Sequence, residues 1–91
     1  MKKIIKFGAP WCGPCAAMHS LFEKAKLDYP NIIFEELDID QPENQCYIND
    51  FKIISIPTII CFNDTKVVSK NTGGMSYDGL KQIIDNLIKV E

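Results

Sequence analysis

The 91-residue sequence lacks the features of a secreted or membrane protein. No apolar run is long enough to cross a bilayer, and Lys2 and Lys3 precede only two apolar residues before Lys6, which is too short for the core of a signal peptide. The chain also lacks a strong excess of one charge, because its formal net charge is −2. We therefore expect a cytoplasmic protein that binds neither nucleic acid nor a membrane.

Internal repeats, low-complexity tracts and linkers are absent too, so residues 1–91 are predicted to form a single small domain. Only four cysteines are present. A secreted disulfide scaffold can also use four, but here Cys12 and Cys15 lie close together, whereas Cys46 and Cys61 lie in helical or apolar surroundings. In a cytoplasmic chain with a β-α-β pattern, one such local pair indicates a redox motif.

Hydrophobic periodicity and turn signals predict the element order β-α-β-α-β-β-α. The predicted strands are 2–7, 32–39, 58–62 and 66–71, and the predicted helices are 12–27, one starting at 40–43, and one from the Ser76 cap to 89. A right-handed first crossover makes strands one and two parallel, and a hairpin turn at Asn63-Asp64 completes a four-stranded mixed sheet. The helix residues predicted to face inward are Met18, Leu21, Phe22, Ala25, Tyr47, Ile48, Phe51, Leu80, Ile83, Ile84, Leu87 and Ile88.

The pentapeptide Trp11-Cys12-Gly13-Pro14-Cys15 carries the chemistry. Two thiols at this spacing can close a disulfide, so the pair can take up electrons and return them. The motif lies between a strand and a helix, and the free N–H groups at a helix start stabilise a thiolate. We therefore predict that Cys12 is the attacking thiol and Cys15 the resolving thiol, with Gly13 and Pro14 shaping the loop.

Two other interpretations of the cysteines are a chance buried pair and a zinc site. A structural zinc ion needs about four ligands, and only Cys46, Cys61 and His19 could complete the set, at unsuitable spacings. We predict no metal. Cys46 and Cys61 are interpreted as small apolar residues, and His19 as a solvated helix residue.

Several segments resemble the thioredoxin family. The pentapeptide has the form of its active site, Ile56-Pro57-Thr58 resembles its cis-proline segment, and Leu37-Asp38-Ile39-Asp40 resembles a strand ending. Phe62, Val67 and Gly73 also fall at thioredoxin-like spacings. The resemblance covers essentially the whole chain and implies an α/β thioredoxin-like fold without the family's N-terminal strand and helix. The implied strand order is 2-1-3-4, with the second helix on one face and the other two on the opposite face.

The resemblance also implies a substrate groove. A cis Ile56–Pro57 bond would shape it, and an extended peptide would pair with the backbone near Ile56. Trp11, Gly74 and Met75 would form its rim. The alternative for Met75 is a core position before the last helix.

Two charges depart from the family pattern. Thioredoxins typically carry an aspartate at the position of Lys6 and a lysine at that of Glu36, so the charges are exchanged. If the two strands are neighbours, Lys6 and Glu36 pair with reversed polarity, and Glu36 or water takes over the proton transfer of the family aspartate. The alternative is that Lys6 extends into solvent and has no role.

The predicted function is that of a monomeric thiol–disulfide oxidoreductase without a cofactor, which reduces protein disulfides and is recycled by a thioredoxin-reductase-type donor. A glutaredoxin-like enzyme using glutathione is the first alternative: the short chain and Gly73-Gly74 favour it, and the Gly-Pro pair between the cysteines disfavours it. A non-catalytic binding subunit is the second, and the intact cysteine pair counts against it.

Overall fold

The computed structural model describes all 91 residues, which form four strands and three helices. In chain order these are β1 (Lys2–Gly8), α1 (Gly13–Asp28), β2 (Ile33–Asp38), a 3-10 turn (Pro42–Asn44) leading into α2 (Gln45–Asp50), β3 (Thr58–Asn63), β4 (Lys66–Thr72) and α3 (Tyr77–Ile88). The strand order is β2-β1-β3-β4. β1 pairs parallel with β2 and antiparallel with β3, and β3 pairs antiparallel with β4, so the predicted mixed sheet is confirmed.

The central position of β1 follows from its composition. Ile4, Ile5 and Phe7 are buried on alternating sides of the strand, which suits a strand covered on both faces. The helices begin at local signals: the Ser76 hydroxyl accepts a hydrogen bond from the Gly79 N–H at 3.1 Å and caps α3. β1 ends at Gly8 and α1 begins at Gly13, so the start of α1 lies near the carboxyl end of β1.

The two faces of the sheet carry separate cores, as the resemblance implied. One core lies under α1 and α3, and its buried members are Ile4, Met18, Phe22, Ala25, Ile32, Ile59, Cys61, Leu80, Ile84 and Leu87. The other core lies on the α2 side and contains Ile5, Phe7, Ile60 and Phe62, with Leu37, Ile39, Phe51 and Ile53 packed against them. Burial of one large apolar side chain stabilises the fold by about 1.5–3 kcal/mol. Each core buries several such side chains, so apolar packing stabilises the sheet on both faces.

Several sequence-based expectations about individual residues are wrong. Tyr47 is 45% exposed and stacks on Phe51 with its ring centroid 6.2 Å away, and Ile88 is 46% exposed. Cys46 is exposed as well, so it is not a buried apolar residue. α2 has only six residues, and so short a helix presents few side chains to the sheet. Ile88 is the last residue of α3, and its neighbour Leu87 is the residue of that turn that packs in the core.

The element boundaries differ by one or two residues from the predicted ones. β2 begins at Ile33 and ends at Asp38. The hairpin turn is Asp64-Thr65, one residue later than predicted, and Asp64 takes φ +57°, a conformation that Asp tolerates in tight turns. None of the three helices combines the length and the apolar character that a membrane crossing requires.

Candidate active site

Cys12 and Cys15 are joined by a disulfide at the N-terminus of α1, with their Cα atoms 5.2 Å apart. Cys12 is the N-cap residue, and its sulfur accepts a hydrogen bond from the Cys15 N–H at 3.2 Å. Pro14 lies in the first turn, where its missing N–H leaves no bond unmade. Cys12 is 8% exposed and Cys15 only 3%, so the cysteine nearer the helix end is also the more accessible residue.

Trp11 stands beside the disulfide with 68% of its surface exposed. Its indole Nε1–H donates to Asp40 Oδ2 at 2.7 Å. Asp40 follows β2, so this bond ties the active-site loop to the end of the neighbouring strand. A large aromatic surface is therefore held in place next to Cys12 instead of moving freely.

The loop before β3 forms the second part of the site. The Ile56–Pro57 peptide bond is cis, as the resemblance implied, and Pro57 is buried. The N–H and C=O groups of Ile56 have no hydrogen-bond partner within the chain, whereas the Pro57 carbonyl accepts from the Gly73 N–H at 2.8 Å. The structure thus leaves the backbone of Ile56 unpaired, in the same hollow that Trp11 lines.

Gly74 and Met75 lie close to the same loop but differ in surroundings. A Cβ atom on Gly74 would lie 3.8 Å from the Cβ of Pro14, so Gly74 does neighbour the active-site loop. Met75 is half-buried and packs against the core under α1 and α3. Its side chain therefore has the core contacts that the alternative interpretation assigned to it.

An apolar hollow, which we call the Trp11 hollow, adjoins the tryptophan. Its volume is about 230 Å³, and its apolar lining residues are Trp11, Ile39, Ile48, Ile53, Ile54 and Ile56. Ile54 is 93% exposed at its edge. The hollow was not predicted, although the apolar pair Ile53-Ile54 directly before the proline segment is a signal visible in the sequence.

Lys6 and Glu36 face each other across β1 and β2, at paired positions of the parallel register. The Lys6 ammonium is buried, lies 2.7 Å from Glu36 Oε1 and donates to the Cys15 carbonyl at 2.9 Å. The predicted ion pair between Lys6 and Glu36 is therefore present, and the solvent-exposed alternative for Lys6 is wrong. A charged pair is built directly beneath the first turn of α1.

Glu36 also accepts a hydrogen bond from His19, whose Nδ1 lies 2.8 Å from Oε2 and 3.1 Å from Oε1. Burial by itself raises the pKa of the Glu36 carboxyl, but the hydrogen bonds from Lys6 and His19 outweigh it and hold the pKa below its usual value. His19 is solvated as predicted, since it is 56% exposed, but it is also anchored to the charged pair. That contact could not be read from the sequence.

A second cavity, which we call the Cys15 pocket, lies under the first turn of α1. Its volume is about 300 Å³, and the residues that matter for its chemistry are Lys6, Gly8, Cys15, His19, Glu36 and Asp38. Gly8 was missed in the sequence: a Cβ there would lie 3.0 Å from the Cys15 sulfur. A glycine inside a strand often marks such a close approach, and that signal was available.

The remaining potential ligands lie elsewhere or are already engaged. Cys61 is buried in the core, as predicted, and burial raises its thiol pKa despite a hydrogen bond with Ser69. Ligand atoms of His19, Glu23 and Glu36 lie within 4.8 Å of one another. The Lys6 ammonium already neutralises Glu36, which disfavours a cation there.

These elements define a class of protein: a dithiol–disulfide redox centre at a strand-to-helix junction, flanked by a cis-proline loop. Comparison with known proteins gives the same class. The family model described as "Thioredoxin" matches residues 1–86. The chain therefore belongs to the thioredoxin family.

Individual relatives agree over most of their length. The chain is 34% identical to a thioredoxin of Mycoplasmoides gallisepticum, covering 91% of this chain and 81% of the relative. It is also 34% identical to a thioredoxin of Staphylococcus haemolyticus, covering 91% and 79%. Among solved structures, oxidised mitochondrial thioredoxin 3 of Saccharomyces cerevisiae is 28% identical with a TM-score of 0.83, covering 93% of this chain and 77% of that one. Spinach chloroplast thioredoxin f is 32% identical with a TM-score of 0.87, covering 97% and 71%.

Family membership and the Cys12–Cys15 disulfide together make this protein a thiol–disulfide oxidoreductase of thioredoxin type. The predicted fold class and function are confirmed, and the non-catalytic alternative is set aside.

Proposed function

We propose that this protein reduces disulfide bonds in protein substrates, with Cys12 as the attacking thiol and Cys15 as the resolving thiol. The observation that carries the assignment is the position of Cys12, at the N-cap of α1 and more exposed than Cys15. The first-turn N–H groups and the helix dipole stabilise negative charge on its sulfur. Cys15, one turn inside, is shielded from attack on an external disulfide.

The reaction proceeds through a mixed disulfide. The Cys12 thiolate attacks one sulfur of the substrate disulfide, forms an S–S bond to it and releases the other substrate sulfur, which takes a proton from solvent. The Cys15 thiol loses its proton and attacks the Cys12 sulfur, which releases the second substrate thiol. Two electrons have then moved from the cysteine pair to the substrate, and Cys12–Cys15 is a disulfide.

Substrate binding is proposed to use the open backbone of Ile56 and the Trp11 hollow. An extended segment can pair with the unbonded N–H and C=O of Ile56 as an added strand. An apolar side chain of that segment would fill the hollow beneath Trp11. Gly74 and Met75 would border the opposite side, beside Pro14.

We further propose that the protein works as a monomer in the cytoplasm and takes its electrons from a thioredoxin-reductase-type donor. A reducing compartment is where a catalytic dithiol is returned to its active form. Membership of the thioredoxin family supports this donor over glutathione. The two donors can be compared directly.

The test is insulin reduction driven either by thioredoxin reductase or by glutathione with its own reductase. We expect turnover with the first donor and little with the second. Turnover with glutathione alone would show that the donor assignment is wrong, and no turnover with either would contradict disulfide reduction.

Cysteine variants assign the roles. Cys15→Ser should trap a mixed disulfide on Cys12, because nothing remains to release it. Cys46→Ser is the matched control, since this exposed thiol lies outside the site and its loss should leave turnover unchanged. In the reduced protein near neutral pH, iodoacetamide should modify Cys12 first; faster modification of Cys15 or Cys46 would reject the assignment.

A further inference from the structure

His19 and Cys15 share a cavity and a helix face. Residues four positions apart lie about one turn from each other on a helix, and both of these residues line the Cys15 pocket. The pocket volume of about 300 Å³ can hold several water molecules, since one occupies about 30 Å³ in the liquid. Because the imidazole is 56% exposed, a proton that reaches it can continue to bulk solvent.

The contact with Glu36 determines which nitrogen of the His19 imidazole carries the hydrogen and which has the lone pair. The Glu36 carboxylate is also bonded by Lys6, so it is ionised and can only accept hydrogen bonds. His19 Nδ1, at 2.8 Å from Oε2, must therefore be the nitrogen that carries hydrogen. The lone pair of the neutral imidazole is then on Nε2, as in other carboxylate–histidine pairs that act as bases.

We propose that His19 is the general base that receives the proton of Cys15 when the mixed disulfide is resolved, through solvent in the Cys15 pocket. Glu36 orients the imidazole, and Lys6 holds Glu36 in place. This inference rests on the thiol–disulfide exchange proposed above and adds the acceptor that the exchange requires.

The other groups around the pocket are less suitable acceptors. The Lys6 ammonium has no lone pair, and its bond to Glu36 makes that carboxylate a weak base. Asp38 lines the pocket from β2, and Glu23 approaches the imidazole from its own helix. A carboxylate is a weak base near neutral pH, whereas a neutral imidazole readily both accepts and releases a proton there.

The Cys15 S–H proton passes through pocket solvent to His19 Nε2, which makes an imidazolium stabilised by Glu36. The Cys15 thiolate forms a bond to the Cys12 sulfur, and the bond between Cys12 and the substrate breaks with both electrons going to the substrate thiolate. That thiolate takes a proton from solvent, and His19 returns its proton to solvent.

The test separates the two steps with dithiobis(nitrobenzoate), which releases one coloured thiolate when Cys12 attacks and a second when Cys15 resolves. A Cys46→Ser background removes the other exposed thiol from the signal. His19→Gln keeps a donor for Glu36 but has no base. Stopped-flow traces between about pH 5 and about pH 9 span the range in which histidine titrates.

We expect the second release in His19→Gln to slow at least about tenfold near neutral pH, with the first release unchanged. The rate of this second release should also lose the pH-dependent step that His19 contributes to the parent profile. In His19→Ala, added imidazole should restore the second release in proportion to its concentration. Ser20→Gln, on the exposed side of the same helix and outside the pocket, is the matched control and should behave as the parent.

An unchanged second release and pH profile in His19→Gln would overturn the proposal. So would a slower release that keeps the parent pH profile and ignores imidazole, because His19 would then only position Glu36. Failure of the proposed function is distinguishable: the parent itself would release only the first thiolate.

Discussion

The Lys6 ammonium and the Glu36 carboxylate lie 2.7 Å apart on neighbouring parallel strands, directly beneath the active-site disulfide. Lys6 also donates to the Cys15 carbonyl, so the pair is part of the support of the redox helix. Its two charges largely cancel at the disulfide, because they are close to each other. The pair places its positive end on β1 and its negative end on β2.

Removing one charge of this pair should shift the reduction potential. In Lys6→Met the unbalanced Glu36 disfavours the thiolates of the reduced form, so the potential should become more negative by on the order of 30 mV, which corresponds to about 1.4 kcal/mol. Glu36→Gln should shift it in the opposite direction. The double variant should return close to the parent value, as measured by equilibration with a glutathione buffer.

A parent-like potential in both single variants would contradict this prediction. It would mean that the pair holds the Cys15 carbonyl without acting electrostatically on the sulfur atoms.

Glu36 should also make stability depend on pH. Its pKa in the folded protein lies below the ordinary value of 4.5, so the folded state favours the ionised form. The stabilising contribution is complete above pH 4.5 and is lost as the pH falls through the lower folded value. Urea unfolding at neutral and acidic pH should show this acid loss in the parent and a smaller loss in Glu36→Gln.

Glu35→Gln is the control for that measurement. Glu35 is the neighbouring residue, is 43% exposed and lies 3.9 Å from Lys3. An exposed pair at this distance contributes little, so this variant should keep the acid dependence of the parent. An equal change in both variants would point to general surface charge instead of the Lys6–Glu36 pair.

A side chain at position 8 should destabilise the protein, whereas a side chain at position 13 should be tolerated. A Cβ on Gly8 would lie 3.0 Å from the Cys15 sulfur and 3.2 Å from its Cβ, while a Cβ on Gly13 meets nothing within 4 Å. Gly8→Ala should lower the free energy of unfolding of the oxidised protein by about 1–3 kcal/mol through overpacking. Gly13→Ala should change it by less than about 1 kcal/mol and can be stabilising. Denaturant titration of both variants gives the comparison, and equal values would show that Cys15 can move aside.

Ile54 should contribute to the recognition of protein substrates but not to the chemistry. It is 93% exposed at the edge of the Trp11 hollow. Ile54→Ser should raise the KM for insulin several-fold and leave the first reaction with dithiobis(nitrobenzoate) unchanged, because that small disulfide has no peptide side chain to place in the hollow.

Leu27→Ser is the matched control, since Leu27 is 83% exposed near the far end of α1. Equal effects of the two substitutions on insulin reduction would show that the Trp11 hollow does not take part in substrate binding.

The sequence by itself determined the order of elements, the redox pair and most of the core. Apolar periodicity, the Ser76 cap and the Trp11-Cys12-Gly13-Pro14-Cys15 motif are local signals, and local signals act over a few residues of chain. Tyr47 and Ile88 were misplaced because periodicity predicts which side of a helix is apolar, not which residues of that side the neighbouring elements cover.

Only the tertiary structure decided what surrounds the sulfur atoms. Lys6, His19 and Glu36 come from three different elements, and their contacts depend on the register of β1 with β2 and on the rotation of α1 above them. The Trp11 hollow likewise joins the active-site loop to residues 39–56. Such contacts form only when segments that are distant in the chain pack together. They act over a few ångströms in space, so they produce no periodic pattern in the sequence.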